Sequence, residues 1–281
     1  MNAPAGSTRV AAVIGCPVRH SLSPVVHNAA YRVLGLDWVY VAFEVPPGSG
    51  RRAIEAMRAL GIDGLNVTMP HKSDVAGAVD RLTPAALALG AVNTVTRGPR
   101  RDELIGDNTD GAGFIDTLRI DEGFEPAGRR CVVVGAGGAG RAVVRALADA
   151  GAVAITVVNR TPDRAVAAAA LAGAVGRVGR PADAAEADLV VNATPLGMRG
   201  GDAELPVDPV ALGPGQLVVD LVYHPVVTPL VDAARARGAA ATNGLGMLIH
   251  QAARAIRLWT GEDPPLEVMS AAALGELARR G

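Results

Sequence analysis

Short continuous apolar runs rich in Val, Ile and Ala recur along this chain. Between them lie longer segments in which apolar residues return at helical spacing. In the first third this pattern predicts strands over residues 10–15, 38–45 and 63–67, and helices over 25–34 and 51–60. Ser23-Pro24 opens the first helix, because Ser accepts backbone N–H bonds at a cap and Pro suits the first helical turn. Gly35 and Gly61 close the two helices. Residues 80–91 read as helix, 91–96 as strand, and Gly98-Pro99-Arg100-Arg101 as the tip of a hairpin. Residues 106–113 carry Asp107, Asn108, Thr109 and Asp110 into a helix over 114–118, and the polar stretch 121–128, with Pro126, marks a change of unit.

A second rhythm follows. Strands are predicted over 131–134, 154–158, 189–192, 217–221 and 239–242, with helices over 141–150, 163–171 and 229–237. From residue 247 the pattern is helical, with Leu248, Ala252, Ile256 and Trp259 on one face. The Ala-rich stretch 165–174 reads as ordinary helix, and no internal repeat is present. Two successive β-α-β rhythms place the chain in the α/β class, with parallel or mixed sheets. Its 281 residues suit two domains of ordinary size.

Composition narrows the function. Hydrophobic residues make up 49%, enough for a core, while aromatics are 3%, so that core is built of Ala, Val, Leu and Ile. A formal net charge of −1 gives no basic footprint for nucleic acid and no polybasic run for an anionic membrane. No apolar stretch approaches the roughly 20 residues of a membrane span, and residues 1–8 lack the charged-then-apolar pattern of a signal peptide. Cys16 and Cys131 are too few for a disulfide framework and read as small core residues, which points to the cytoplasm. The five histidines show no metal-ligand spacing and read as surface or packing residues, so no metal is expected.

Two segments carry chemistry. Val134 leads into Gly135-Ala136-Gly137-Gly138-Ala139-Gly140, a G-x-G-x-x-G match between a strand and a helix. In that setting the first Gly permits a tight turn, the second lets the backbone approach a pyrophosphate, and the third allows close helix–strand packing. At the end of the next strand an NAD site usually places a carboxylate for the ribose 2′-hydroxyl. This chain instead has Asn159-Arg160-Thr161, with Arg164 one turn on. Arg pairs with a 2′-phosphate that a carboxylate would repel, which favours NADP(H); the competing reading is a pair of ordinary surface arginines.

The other segment is Asn66-Val67-Thr68-Met69-Pro70-His71-Lys72. Pro70 breaks regular structure and sets Lys72 at a strand-to-helix turn, the kind of edge where α/β sheets bind ligands. Lys72 is the chain's one lysine among 26 arginines. Arg stays protonated in proteins, whereas Lys can be tuned into acid–base work. To accept a proton Lys72 needs burial or a partner, and Asp110 is the candidate. The competing reading of Lys72 and Asp110 is a structural ion pair.

These motifs together resemble the shikimate dehydrogenase family over nearly the whole chain. Ser21-Leu22-Ser23-Pro24 matches the serine pair that binds the substrate carboxylate, and residues 66–72 match the N-V-T-x-P-x-K motif of the catalytic lysine. Residues 90–94 match G-A-V-N-T, and 107–111 match D-N-T-D-G, whose second Asp pairs with the lysine. Residues 135–139 match G-A-G-G-A, 159–164 match the N-R-T-x-x-R of NADP-using members, and 192–198 read N-A-T-P-L-G-M. Residues 220–225 resemble D-x-x-Y-x-P, and 244–251 resemble G-L-x-M-L-x-x-Q, whose glutamine touches substrate. Asn243 stands where many members have Asp, and His224 where Asn is frequent.

The resemblance implies a substrate domain from residues 1–110 and 245–281, and a Rossmann-type NADP-binding domain over 111–244. It implies a small-molecule substrate and reversible NADPH-dependent reduction of 3-dehydroshikimate to shikimate, in a monomer or homodimer. It implies Lys72 and Asp110 as catalytic residues, and Ser21, Ser23, Thr68, Lys72, Asn93, Asp110, Tyr223 and Gln251 around the substrate. Gly135, Ala136, Gly137, Gly138, Ala139, Asn159, Arg160, Thr161, Arg164, Thr194, Leu221 and Gly244 are the implied cofactor residues. The competing readings are a quinate/shikimate dehydrogenase, a relative acting on an aminated shikimate, and a non-catalytic NADP-binding sensor on the same fold.

Overall fold

A computed structural model describes residues 3–100, 102–198 and 204–280; Met1, Asn2 and the hairpin-tip residue Arg101 lie outside the described residues. The chain divides into two compact units, Met1–Thr109 with Ile249–Arg280, and Asp110–Leu248.

The first unit contains β1 (Arg9–Gly15), α1 (Ser23–Val33), β2 (Trp38–Glu44), α2 (Gly50–Leu60), β3 (Gly64–Val67), α3 (Lys72–Ala76), β4 (Arg81–Leu82), α4 (Pro84–Leu89), β5 (Thr94–Arg97) and β6 (Leu104–Asp107). Its six strands form a mixed sheet in the order β2-β1-β3-β5-β6-β4. β1 runs parallel to both neighbours, and its unbroken apolar run is buried because it is a central strand covered on both faces. α2 is amphipathic, turning Ile54 and Met57 inward onto Leu65, Val95 and Leu104, and Gly61 ends it at φ 70°.

Residues 80–91 depart from the predicted helix. Thr83 caps a shorter helix by accepting the Ala86 N–H at 3.3 Å, and Pro84 holds the first turn. Ahead of that cap, Arg81 and Leu82 pair with Ile105 and Gly106 of β6, and the Asp80 carboxylate accepts the Leu104 N–H at 2.7 Å. Sheet pairing outcompetes the helical pattern there; β6 also pairs antiparallel with β5, as the return strand of the hairpin expected around residues 98–101.

The second unit contains α5 (Asp110–Asp116), prolonged by the π-helical turn Thr117–Asp121, then β7 (Arg130–Val134), α6 (Gly138–Asp149), β8 (Ala154–Val158), α7 (Pro162–Ala169), β9 (Gly176–Val178), β10 (Leu189–Asn192), β11 (Leu217–Asp220), α8 (Pro229–Ala236) and β12 (Ala240–Asn243). All six strands are parallel, in the order β12-β11-β10-β7-β8-β9. The order reverses between β7 and β10, the switch point beside which doubly wound sheets bind dinucleotides. Gly111 lets α5 approach α6, since a Cβ there would meet the Ala142 carbonyl oxygen at 2.9 Å. The second unit thus begins at Asp110, ahead of the polar stretch 121–128, and α5 starts four residues before the predicted helix.

Two helices close the chain, α9 (Leu245–Thr260) and α10 (Leu266–Arg280), separated where Gly261 and Pro264-Pro265 interrupt the helical pattern. α10 packs on α1. Trp259 lies against Gly64, where a Cβ would stand 2.4 Å from the indole, and its Nε1 donates to the Val95 carbonyl at 3.0 Å. Cys131 is core; Cys16 lies just past the end of β1 and is half-buried, beyond the covered part of the sheet.

Candidate active site

In the first unit the motif residues gather around the ends of β1, β3 and β5. Asn66, the third residue of β3, is a buried hub. It accepts from the Tyr40 hydroxyl at 2.7 Å and donates to the Asn93 carbonyl at 3.2 Å and to Thr94 Oγ1 at 3.1 Å. Asn93 in turn grips Thr109: the Thr109 N–H donates to Asn93 Oδ1 at 2.8 Å, and Asn93 Nδ2 donates to Thr109 Oγ1 at 3.0 Å. The Thr109 hydroxyl also donates to the Gln251 carbonyl at 3.3 Å. This lattice of side-chain bonds fixes Asn93 and Thr109, the residue directly before Asp110.

Lys72 is the first residue of α3, and its carbonyl accepts the Val92 N–H at 2.9 Å, which ties the helix start to the G-A-V-N-T segment. His71 before it is fully buried with Nε2 2.8 Å from the Val45 carbonyl oxygen, and Thr68 N–H donates to Ile14 at 2.9 Å. The path from β3 to Lys72 is therefore pinned at both ends. Ser21 Oγ accepts the Ser23 N–H at 3.2 Å at the start of α1. Behind it, His27 is fully buried and stacked on Tyr40 with ring centroids 3.9 Å apart. Burial pushes its pKa down to about 4, against the opposing bond to the Ser23 carbonyl. His27 is thus a neutral packing residue, in keeping with the sequence reading of the histidines.

In the second unit, Gly135 leaves β7 at φ 110° with its Cβ position 2.7 Å from the Ala193 carbonyl oxygen. A Cβ on Gly140 would lie 2.0 Å from the Gly135 carbonyl oxygen. Both glycines are therefore required by the protein's own packing. Gly137 differs: it has an ordinary φ of −78° and nothing within 4 Å of a Cβ. Its open side at the start of α6 fits the close approach of a pyrophosphate, with Gly138 and Ala139 in the first helical turn.

Asn159, just past β8, accepts the Ala136 N–H at 3.1 Å and donates to the Thr161 carbonyl at 3.0 Å, which joins the glycine turn to the next strand end. Arg160 and Arg164 are exposed, and among the described residues neither guanidinium is paired with a carboxylate. Two such guanidiniums at this strand end fit a 2′-phosphate. Thr194 follows β10, Leu221 and Tyr223 follow β11, and Gly244 follows β12, all at the same edge of the parallel sheet. Gly244 is another packing requirement, with the Leu221 carbonyl oxygen 2.1 Å from a Cβ there.

The sequence reading missed one cluster. Asn192 and Asp220 are register partners at the ends of β10 and β11, both fully buried, with Asn192 Nδ2 donating to Asp220 Oδ1 at 2.8 Å. The signal was present: the two strands read LVVN and LVVD, each closing an apolar run on a polar residue. Among the described residues no helix is long and apolar enough to cross a membrane, and no group of three or more His, Cys, Asp or Glu is placed to hold a metal ion.

Comparison with known proteins agrees with the motifs. Residues 13–95 match the shikimate dehydrogenase substrate binding domain, residues 121–195 the shikimate / quinate 5-dehydrogenase model, and residues 244–274 the shikimate 5'-dehydrogenase C-terminal domain. The chain is 46% identical over 273 residues to the shikimate dehydrogenase (NADP(+)) of Moorella thermoacetica, covering 94% of this chain and 92% of that one. Shikimate 5-dehydrogenase from Thermus thermophilus, solved with NADP(H) and shikimate, superposes with a TM-score of 0.88 at 38% identity, covering 95% and 99% of the two chains. Quinate dehydrogenase from Corynebacterium glutamicum, solved with NAD, superposes with a TM-score of 0.87 at 34% identity, covering 95% and 99%. Fold alone therefore does not separate the two substrates, but kinship along the full length does fix the family: this chain belongs to the shikimate dehydrogenases.

Proposed function

We propose that the chain catalyses the reversible oxidation of shikimate to 3-dehydroshikimate with NADP(H), a step toward aromatic amino acids. The observation that carries the reading is the sheet edge of the second unit. An open Gly137 at the start of α6 stands one strand away from Arg160 and Arg164, which have no carboxylate partner among the described residues. That arrangement supports a phosphorylated dinucleotide over NAD, and with it the NADP-using branch of the family rather than a quinate dehydrogenase.

Residues 111–244 would bind the cofactor, through Gly135, Ala136, Gly137, Gly138 and Ala139 at the pyrophosphate and Asn159, Arg160, Thr161 and Arg164 at the adenosine end. Thr194, Leu221 and Gly244 would border the nicotinamide. Bound NADP(H) supplies the hydride acceptor or donor. Residues 1–110 and 245–281 would hold the substrate. Ser21 and Ser23 hydroxyls donate to its carboxylate, and Thr68, Asn93 and Gln251 orient its hydroxyls. Lys72 and Asp110 are the acid–base residues. During oxidation they take the proton of the reacting hydroxyl, and during reduction they return it.

Arg160→Asp tests the cofactor assignment. It should weaken NADP far more than NAD, because the new carboxylate repels a 2′-phosphate and accepts from a 2′-hydroxyl. Equal effects on both cofactors would remove Arg160 from phosphate recognition.

A further inference from the structure

Three hydrogen-bond donors, one at the end of β10 and two in the loop after β11, converge on one buried carboxylate at the end of β11. Asp220 Oδ1 accepts from Asn192 Nδ2 at 2.8 Å and from the Val222 N–H at 3.1 Å. Oδ2 accepts from the Thr228 hydroxyl at 2.6 Å. An ionised carboxylate is an acceptor at every position and can satisfy all three, which no neutral side chain of this size does. Burial raises the Asp220 carboxyl above its ordinary range, while the bonds from Thr228, Val222 and Asn192 pull it back.

The network reaches both loops at this edge. Asn192 uses its whole amide: Nδ2 donates to Asp220 and to the Leu196 carbonyl at 3.2 Å, and Oδ1 accepts the Thr194 N–H at 3.0 Å and its hydroxyl at 2.6 Å. Asp220 meanwhile holds the loop after β11 at its beginning, Val222, and at its end, Thr228. Asn243 grips the middle of that loop by donating from Nδ2 to the Val226 carbonyl at 2.7 Å. An Asp at 243 could not make that bond, so this departure from the commoner family pattern belongs to the same device.

We infer that Asp220 is a positioning residue for the nicotinamide half of the cofactor, stapling the Thr194 loop to the loop of Leu221 and Tyr223. The inference rests on the function proposed above. Asp220 itself is fully buried and offers no surface to a ligand; it acts through Asn192 and Thr228.

The test separates the two halves of the cofactor. Adenosine 2′,5′-bisphosphate would occupy only the Arg160 end, whereas NADPH also needs the nicotinamide loops. For Asp220→Asn and Thr228→Val, the fragment should bind within about twofold of wild type while NADPH affinity or kcat falls about tenfold or more, a change of about 1.4 kcal/mol. Thr228→Ser keeps the hydroxyl that reaches Asp220 and caps α8, and should restore wild-type behaviour. If Asp220→Asn does not fold, the Thr228 pair decides. NADPH binding and kcat unchanged in Thr228→Val, or fragment and NADPH weakened alike, would overturn the inference. Wild-type protein that binds the fragment but not NADPH would instead sink the dehydrogenase reading itself.

Discussion

The Cβ position of Gly140 lies 2.0 Å from the carbonyl oxygen of Gly135. The first and third glycines of the phosphate-binding turn are thus locked to each other by packing, while Gly137 between them faces open space. The motif divides into a structural part and a ligand part. Gly140→Ala should destabilise the fold by at least about 2 kcal/mol, the scale of overpacking against immovable backbone. Gly137→Ala should leave stability within about 0.5 kcal/mol yet weaken NADPH about tenfold or more, as befits a Cβ pushed into a pyrophosphate. Unfolding curves and cofactor titrations of the two variants check this; equal destabilisation of both would contradict it.

Burial of His27 gives a pH signature. Its folded pKa is about 4 against an ordinary 6.5, so between those values the unfolded chain binds a proton that the folded chain refuses. Stability is therefore lost as pH falls from 6.5 toward 4, by about 3 kcal/mol from this one group. Urea unfolding at about pH 7 and about pH 4 should show wild type losing more stability than His27→Phe by roughly that amount. Parallel losses in the two proteins would mean that His27 charges freely in the fold.

The apolar runs that became β1, β7, β8, β10 and β11 were legible because a strand covered on both faces admits nothing else. The glycine turn and the residue type at the end of β8 were legible because their demands are local. What escaped the pattern depends on distant partners. β4 is a strand by virtue of its pairing with β6, and Arg81-Leu82 carries too little periodicity alone. The Asp220 cluster draws on residues 192, 222 and 228, whose proximity is created by the parallel register of β10 and β11. The family motifs marked Asn192 and Asp220 as part of a pattern, but Thr228 became meaningful only when the fold set it beside Asp220.

Lys72 invites the sharpest single substitution. Lys72→Arg keeps the positive charge and approximate length but removes a group that can exchange its proton. The expected result is a kcat lower by about 10²-fold or more, the usual scale of general acid–base contributions, with KM for shikimate changed far less. A variant with nearly full kcat would take Lys72 out of proton transfer and leave it as a structural or binding cation.

The most direct measurement is the initial rate of reduced-cofactor formation by the purified protein, with shikimate and quinate each crossed with NADP+ and NAD+. The highest kcat/KM is expected for shikimate with NADP+, exceeding every other pair by about tenfold or more, the ratio that about 1.4 kcal/mol of discrimination gives. Faster turnover with quinate or with NAD+, or none with shikimate under either cofactor, would contradict it.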